Sequence, residues 1–210
     1  MSHFEGGSLG EFLDALASSA PTPGGGAGAA VALGMGAALV AMTARLTTGR
    51  RKFRAVQADM ERVIERCDAI RDSALELAEA DAEAYGQVMA AYGLPRGSAD
   101  ERSSRQAAIA SACEQASRVP LRVAAAAAEM IELASETAEK GNPNVISDAG
   151  AGAALARTAI RICEMNVQAN LGSIEDSAVR DELSGELAKA LAARDAADGV
   201  VDGVLGNGLA

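Results

Sequence analysis

Apolar residues recur every three or four positions over long stretches of the chain, the spacing of one helix face rather than of a strand. Ser8 is a good N-cap, and Phe12, Leu13 and Leu16 behind it predict a short amphipathic helix. Ala20-Pro21-Thr22-Pro23-Gly24-Gly25-Gly26 should end it, since prolines and a glycine run oppose helix. An apolar helix is expected over 27–46, in which Gly28, Ala32 and Gly36 form a small-residue row for close backbone packing. Further helices are predicted over 55–91, 103–139, 149–171 and 177–201, with Pro120 kinking or dividing the second of these four. The Gly-rich tail 203–210 is expected to be loose. No repeat or composition shift marks a linker, so 1–210 reads as a single domain.

Composition sharpens the picture. The chain has 210 residues and is 49% hydrophobic, yet it has 3 Phe, 2 Tyr and no Trp. Small side chains, Ala above all, supply the apolar surface, and β-formers are too sparse for an extensive sheet. The expected fold is all-α, a single-domain bundle of long, thin helices packed closely together. Helices this long with so little bulk should share surface with a second copy, which predicts a homodimer.

Charge and cysteine usage exclude several functions. A net charge of -10 and few aromatics argue against a nucleic-acid partner. A single His, His3, and isolated Cys67, Cys113 and Cys163 give no metal-ligand spacing, so no metal is expected. Unpaired cysteines read as reduced core residues of a cytoplasmic protein. The start has no basic and apolar signal pattern, and the apolar stretch 27–42 falls short of the roughly 20 residues of a membrane span, so no membrane partner is expected.

Four features could carry chemistry. Val63, Cys67, Ile70, Ala74, Leu77 and Ala78 form an apolar stripe that Tyr85 and Val88 continue, and Asp81 lies on it, whereas Glu79 and Glu83 lie off it and should be solvated. A carboxylate facing the core has a raised pKa, useful for shuttling protons, unless it is salt-bridged or the helix turns it to water. Arg45, Arg50, Arg51, Lys52 and Arg54 make a basic turn, either a solvated helix end or a site for carboxylates or phosphates. Pro23-Gly24-Gly25-Gly26 before a helix is either a tight turn or a loop that admits a flat or anionic ligand. In Asn144 to Asp148, Asp148 could simply cap the next helix, while Asn166 and Asn170 could pair helices or donate to a ligand.

In order along the chain, these blocks resemble the cyclodeaminase/cyclohydrolase family of folate enzymes. The resemblance rests on Phe12 to Ser19 with Pro21-Thr22-Pro23-Gly24-Gly25-Gly26, and on Leu46-Thr47-Thr48-Gly49-Arg50-Arg51-Lys52-Phe53, which is similar to the family's LTxGKKKY with Arg for two Lys and Phe for Tyr. It continues through Asp81-Ala82-Glu83-Ala84-Tyr85, Gly141-Asn142-Pro143-Asn144-Val145-Ile146-Ser147-Asp148-Ala149-Gly150 and Asn166-Val167-Gln168-Ala169-Asn170-Leu171. The resemblance implies an all-α homodimer that acts on a tetrahydrofolate one-carbon derivative without a cofactor. It places the family's acidic catalytic residue on Asp81. On this reading Asp81 relays protons and Lys52 or Asp148 sets its pKa. Arg50, Arg51 and Lys52 hold the glutamate tail. Ser19, Pro23, Gly24, Gly25 and Gly26 receive the pterin, and Asn144 completes the binding set.

Two reactions fit the resemblance. A cyclohydrolase opens 5,10-methenyltetrahydrofolate to 10-formyltetrahydrofolate, whereas a cyclodeaminase closes 5-formiminotetrahydrofolate with loss of ammonia. The 210 residues carry no fused formimidoyltransferase, which favours the cyclohydrolase, although stand-alone cyclodeaminases exist. From another class, a non-catalytic folate-binding helical dimer would bind without turnover.

Overall fold

Every regular element in the structure, a computed structural model that describes residues 7–206, is helical. The order is α1 Leu9–Leu16, α2 Gly25–Arg45, α3 Gln57–Tyr92, α4 Ala99–Lys140, α5 Ile146–Leu171, α6 Ser177–Arg194 and α7 Ala196–Gly206, with 3-10 turns at Arg51–Val56 and Pro143–Val145. The all-α expectation holds. His3 and the last four residues of the tail lie outside the described residues.

Local chemistry accounts for several helix starts. Ser8 caps α1 in a capping box, its hydroxyl accepting from the Glu11 N–H while Glu11 Oε2 accepts from the Ser8 N–H at 2.6 Å. Ser98 and Glu101 repeat the device, so α4 begins at Ala99, ahead of the expected 103. Pro120 neither divides α4 nor ends it, and the helix runs unbroken for 42 residues. Proline removes only the bond to the Ala116 carbonyl, and the buried ring contributes to packing. At the other end of the chain, 177–201 is two helices, not one. The chain turns at Asp195 so that Ala197, Val200 and Val204 can bury themselves. Val204 packs on Gly150, so the expected loose tail is helical as far as Gly206.

The central element is α2, which lies between α3 and α5 with α4 behind all three. Small residues make this possible. A Cβ on Gly36 would stand 3.0 Å from the Gly152 carbonyl, so α2 and α5 approach at backbone distance there. The expected small-residue row is split between two faces, because Gly36 faces α5 whereas Gly28 meets nothing within 4 Å. At 21 residues α2 is long enough to cross a membrane, but Ala27, Ala30, Leu33, Ala37 and Val40 on it are fully buried in the bundle. A second apolar cluster joins the end of α3 to α4, α5 and α6 through Val88, Ile109, Val167 and Leu183. Cys67, Cys113 and Cys163 are buried and unpaired, and burial pushes the Cys67 thiol up to about 12.

Candidate active site

The site forms where the N-terminus of α2 meets α3. Residues Gly25 and Gly26, expected in the loop, are the first turn of α2, and Gly24 occupies the N-cap with no side chain to offer. The orphan donors of that first turn take an acceptor from elsewhere: Asp81 Oδ2, on α3, accepts from the Ala27 N–H at 3.0 Å. A Cβ on Gly26 would fall 2.0 Å from Asp81 Oδ1, so only glycine leaves room for the carboxylate.

Asp81 is half-buried and makes no ion pair among the described residues. Desolvation holds its pKa above the ordinary carboxylate value, offset in part by the Ala27 N–H and the partial positive charge at the helix N-terminus. Cys163 lies close enough for the Asp81 charge to add to the burial that pushes its thiol up to about 12. The salt-bridged alternative for Asp81 is therefore not what the fold builds.

A cavity of about 330 Å³ opens beside this carboxylate. Gly24, Gly25 and Gly26 line one wall with Pro21 and Thr22, while Tyr85 and Ala116 line others. Across from Asp81 stand Asn166 and Asn170, one helical turn apart on α5. Both are half-buried, and neither side-chain amide has a hydrogen-bond partner among the described residues. The sequence signal was the i, i+4 pair itself; its direction into a cavity needed the fold. A larger cavity of about 750 Å³ adjoins through Thr22, between α1, α2 and α3, and is lined by Pro23, Phe12, Val31 and Leu75 with Glu11, Glu79 and Glu83 at its wall. The two glutamates expected in solvent, Glu79 and Glu83, thus border this cavity.

Other expected residues lie elsewhere. Ser19 is exposed on the turn after α1 and lines neither cavity. Arg50, Arg51 and Lys52 follow the far end of α2. Gln57 and Asp81 are separated by roughly 36 Å of helix rise along α3, and the link from Lys52 to Gln57 spans at most about 18 Å. Lys52 therefore cannot touch Asp81 of its own chain, and the expectation that it tunes this carboxylate within one protomer is corrected. Asp148, in the first turn of α5, lies roughly 27 Å of helix rise from Asn166 and is also too remote to tune Asp81. It makes no side-chain cap, and Asn144 beside it is exposed.

What the Gly141–Asp148 block does instead is anchor this end. Asn142, overlooked in favour of Asn144, is buried; its N–H donates to Thr47 Oγ1 at 2.9 Å and its amide to the Leu46 carbonyl at 3.3 Å. Its Oδ1 accepts from the Asn144 N–H. The block and the basic turn are thereby fastened together at one end of α2, with the Asp81 cavity at the other. Among the described residues no three His, Cys, Asp or Glu converge to hold a metal ion.

A carboxylate with raised pKa, an undercommitted pair of amides and a glycine wall suit acid–base work on a flat, nitrogen-rich ligand. Known proteins agree with that character. Residues 8–189 match the family described as formiminotransferase-cyclodeaminase. The chain is 44% identical over 181 residues to a methenyltetrahydrofolate cyclohydrolase from Methylorubrum extorquens, covering 86% of this chain and 87% of that one. It is 29% identical to the formimidoyltransferase-cyclodeaminase of Rattus norvegicus, covering 83% of this chain and 32% of that longer protein. A crystal structure of formiminotetrahydrofolate cyclodeaminase from Thermotoga maritima superposes with a TM-score of 0.86 at 32% identity, over 97% of this chain and 98% of that one. With its family blocks in order and its fold shared end to end, the chain belongs to the formiminotransferase-cyclodeaminase family.

Proposed function

We propose that this protein hydrolyses 5,10-methenyltetrahydrofolate to 10-formyltetrahydrofolate in the cytoplasm. The observation that carries the reading is Asp81 at the cavity wall, held by the Ala27 N–H and desolvated without an ion pair among the described residues. The 44% identity to a cyclohydrolase favours hydrolysis over deamination.

The amidinium carbon of the substrate is already electrophilic, so the protein needs to move protons rather than polarise a carbonyl. Ionised Asp81 takes a proton from the attacking water as the new C–O bond forms. It then delivers that proton to N5 as the C–N5 bond breaks, while the carbinol hydroxyl loses its proton to solvent and becomes the formyl oxygen. One proton is released overall. The raised pKa places both protonation states of Asp81 closer in energy near neutrality, as a relay requires.

For binding, the unpaired amides of Asn166 and Asn170 complement the N3–H and 4-oxo edge of the pterin, Oδ1 accepting and Nδ2 donating. The apolar cavity lined by Phe12, Val31 and Leu75 takes the benzoyl stem. Two copies pair as a homodimer, in which the exposed Leu9, Leu13 and Met35 find cover.

The direct test follows the near-ultraviolet absorbance of 5,10-methenyltetrahydrofolate in a buffer that slows its spontaneous hydrolysis. Protein-dependent loss of the chromophore, abolished in Asp81→Asn, is the expected result. The Thermotoga relative keeps the deaminase reading in view: no acceleration, with the same chromophore appearing from 5-formiminotetrahydrofolate, would assign the cyclodeaminase. Binding without either turnover would leave a folate-binding dimer.

A further inference from the structure

Of the chain's five prolines, Pro120 is the one inside an α-helix, in the middle of α4. Having no N–H, it leaves the carbonyl of Ala116, one turn back, without its helix donor, and a proline ring crowds the carbonyl at that position. No side chain among the described residues replaces the missing donor. Ser117 Oγ, the hydroxyl nearest in sequence, donates instead to the Cys113 carbonyl at 2.8 Å. A carbonyl without a partner is a cost where nothing can reach it and an acceptor where a ligand enters. Ala116 is half-buried and lines the cavity beside Asp81, and among the described residues no other part of α4 does so. Its side chain is a single methyl group, so any polarity it brings to that wall belongs to its backbone. The one position that α4 turns to the cavity is thus the one whose acceptor proline releases.

We propose that the Ala116 carbonyl, freed by Pro120, accepts a hydrogen bond from the 2-amino group of the bound pterin and so sets the ring against Asp81. The ligand rests on the function proposed above; the freed acceptor does not. Among the described residues Asp81 is the only carboxylate that lines this cavity. The proton relay keeps it at the one-carbon bridge, on the N5 side of the pterin. Asn166 and Asn170 meet the N3–H and 4-oxo edge. The 2-amino group, beside N3 and on the far side of the pyrimidine ring from N5, then still needs an acceptor. A backbone carbonyl suits that place because it carries no charge at any pH, so it neither takes the relay proton nor perturbs Asp81. It also selects, since a substituent that cannot donate would leave the oxygen unpaired against it. Pro120 touches no substrate and acts through Ala116, as a positioning residue.

Pro120→Ala returns an N–H that closes the helix bond to Ala116 and withdraws the acceptor. Binding is read by calorimetry with two ligands, 5-formyltetrahydrofolate and its 2-desamino-2-methyl analogue. The wild type should prefer the first by about tenfold, the worth of one hydrogen bond. The variant should bind the first about tenfold more weakly and the analogue as the wild type does, so that the preference disappears. In turnover, KM for the methenyl substrate should rise about tenfold while kcat stays within about twofold. Pro120→Val restores the same N–H and keeps more of the ring's volume, so an equal result there excludes a void as the cause. Variants that weaken both ligands alike would assign Pro120 to packing and overturn the proposal, as would a wild type with no preference. A wild type that bound neither ligand would remove the folate reading, and the 2-amino contact with it. One measurement without ligand tests the acceptor separately. In protein labelled with 13C′-alanine and 15N-serine, the Ala116–Ser117 pair reports the carbonyl, whose 13C shift should move to higher frequency in Pro120→Ala as the helix bond closes. An unchanged shift would show the carbonyl already engaged and overturn the freed acceptor for any ligand.

Discussion

The carboxylate of Asp81 occupies the space that a side chain on Gly26 would need, with Oδ1 2.0 Å and Cγ 2.4 Å from the position of the missing Cβ. The first turn of α2 and the middle of α3 therefore meet through a charged group instead of through packed carbon. The helix N-terminus offers the Ala27 N–H in return.

Gly26→Ala should accordingly displace the carboxylate and break its bond to Ala27. We expect the folded protein to lose about 1–3 kcal/mol from overpacking, and kcat to fall on the order of 10²-fold because the relay group is misplaced. Gly86→Ala, on the same helix as Asp81 and with nothing within 4 Å of its new methyl, is the control. It should retain turnover and gain about 0.5–1 kcal/mol in urea unfolding from helix propensity. Equal kinetic damage from both would show that the Gly26 contact is not specific.

Asp81→Asn separates chemistry from stability. The fold holds the Asp81 pKa above its unfolded value of 3.8, so ionisation costs more in the folded protein than in the unfolded chain. Below that unfolded value both states are protonated and the cost is absent; it appears as pH rises through the folded pKa and is complete above it. Asn keeps an oxygen for the Ala27 N–H and never ionises. The variant should therefore match the wild type in Tm at pH 3.5 and exceed it at pH 7, while its turnover drops by about 10²–10⁴-fold. A Tm gap that closes as pH rises would reverse the sign and remove the desolvation argument.

Much of the fold was legible because helix signals are local. Ser8 with Glu11 marks a helix start in four residues, and the stripe from Val63 to Val88 exposes the period of α3 without any tertiary information. Asp81 was legible for the same reason, as a charge on an apolar stripe. The start of α2 was not, because Gly25 and Gly26 oppose helix by propensity, and only the fold brings Asp81 into the space beside Gly26. Ser98 and Glu101 carried a readable capping box that sets the start of α4 at Ala99. Lys52 was joined to Asp81 by family pattern alone, and order along a chain does not report that a helix of about 30 Å stands between two motifs.

Asn142 illustrates a residue whose role is to hold one end of the bundle. Its amide bridges the end of α2 to the loop before α5, donating to the Leu46 carbonyl and accepting from the Asn144 N–H. Asn142→Ala leaves those partners to find water at a buried position. A loss of about 1–3 kcal/mol in urea unfolding is expected. Asn144→Ala, at an exposed position that keeps only its backbone bond, should shift stability by less than about 0.5 kcal/mol. The reverse ranking would mean that Asn144, not Asn142, fastens the loop.

The amides of Asn166 and Asn170 should separate binding from chemistry. Each lines the Asp81 cavity without a partner among the described residues, so the folded state gains nothing there from their polarity and a ligand can. Replacement by leucine removes the donor and acceptor while filling similar space. Thermal stability should therefore stay level or rise, whereas KM for the methenyl substrate should rise about tenfold or more per residue, the equivalent of a lost hydrogen bond of roughly 1.4 kcal/mol. kcat should change far less, since Asp81 is untouched. The pterin edge can also be altered from the ligand side. A 4-amino analogue replaces the carbonyl acceptor with a donor, so the wild type should bind it poorly, and Asn→Asp at the amide that faces position 4 should recover part of that loss. Direct binding of the stable 5-formyltetrahydrofolate, measured by calorimetry, reads the same contacts without turnover. If the leucine variants bound it as tightly as the wild type while losing kcat, the amides would belong to the transition state and the pterin edge would be read elsewhere.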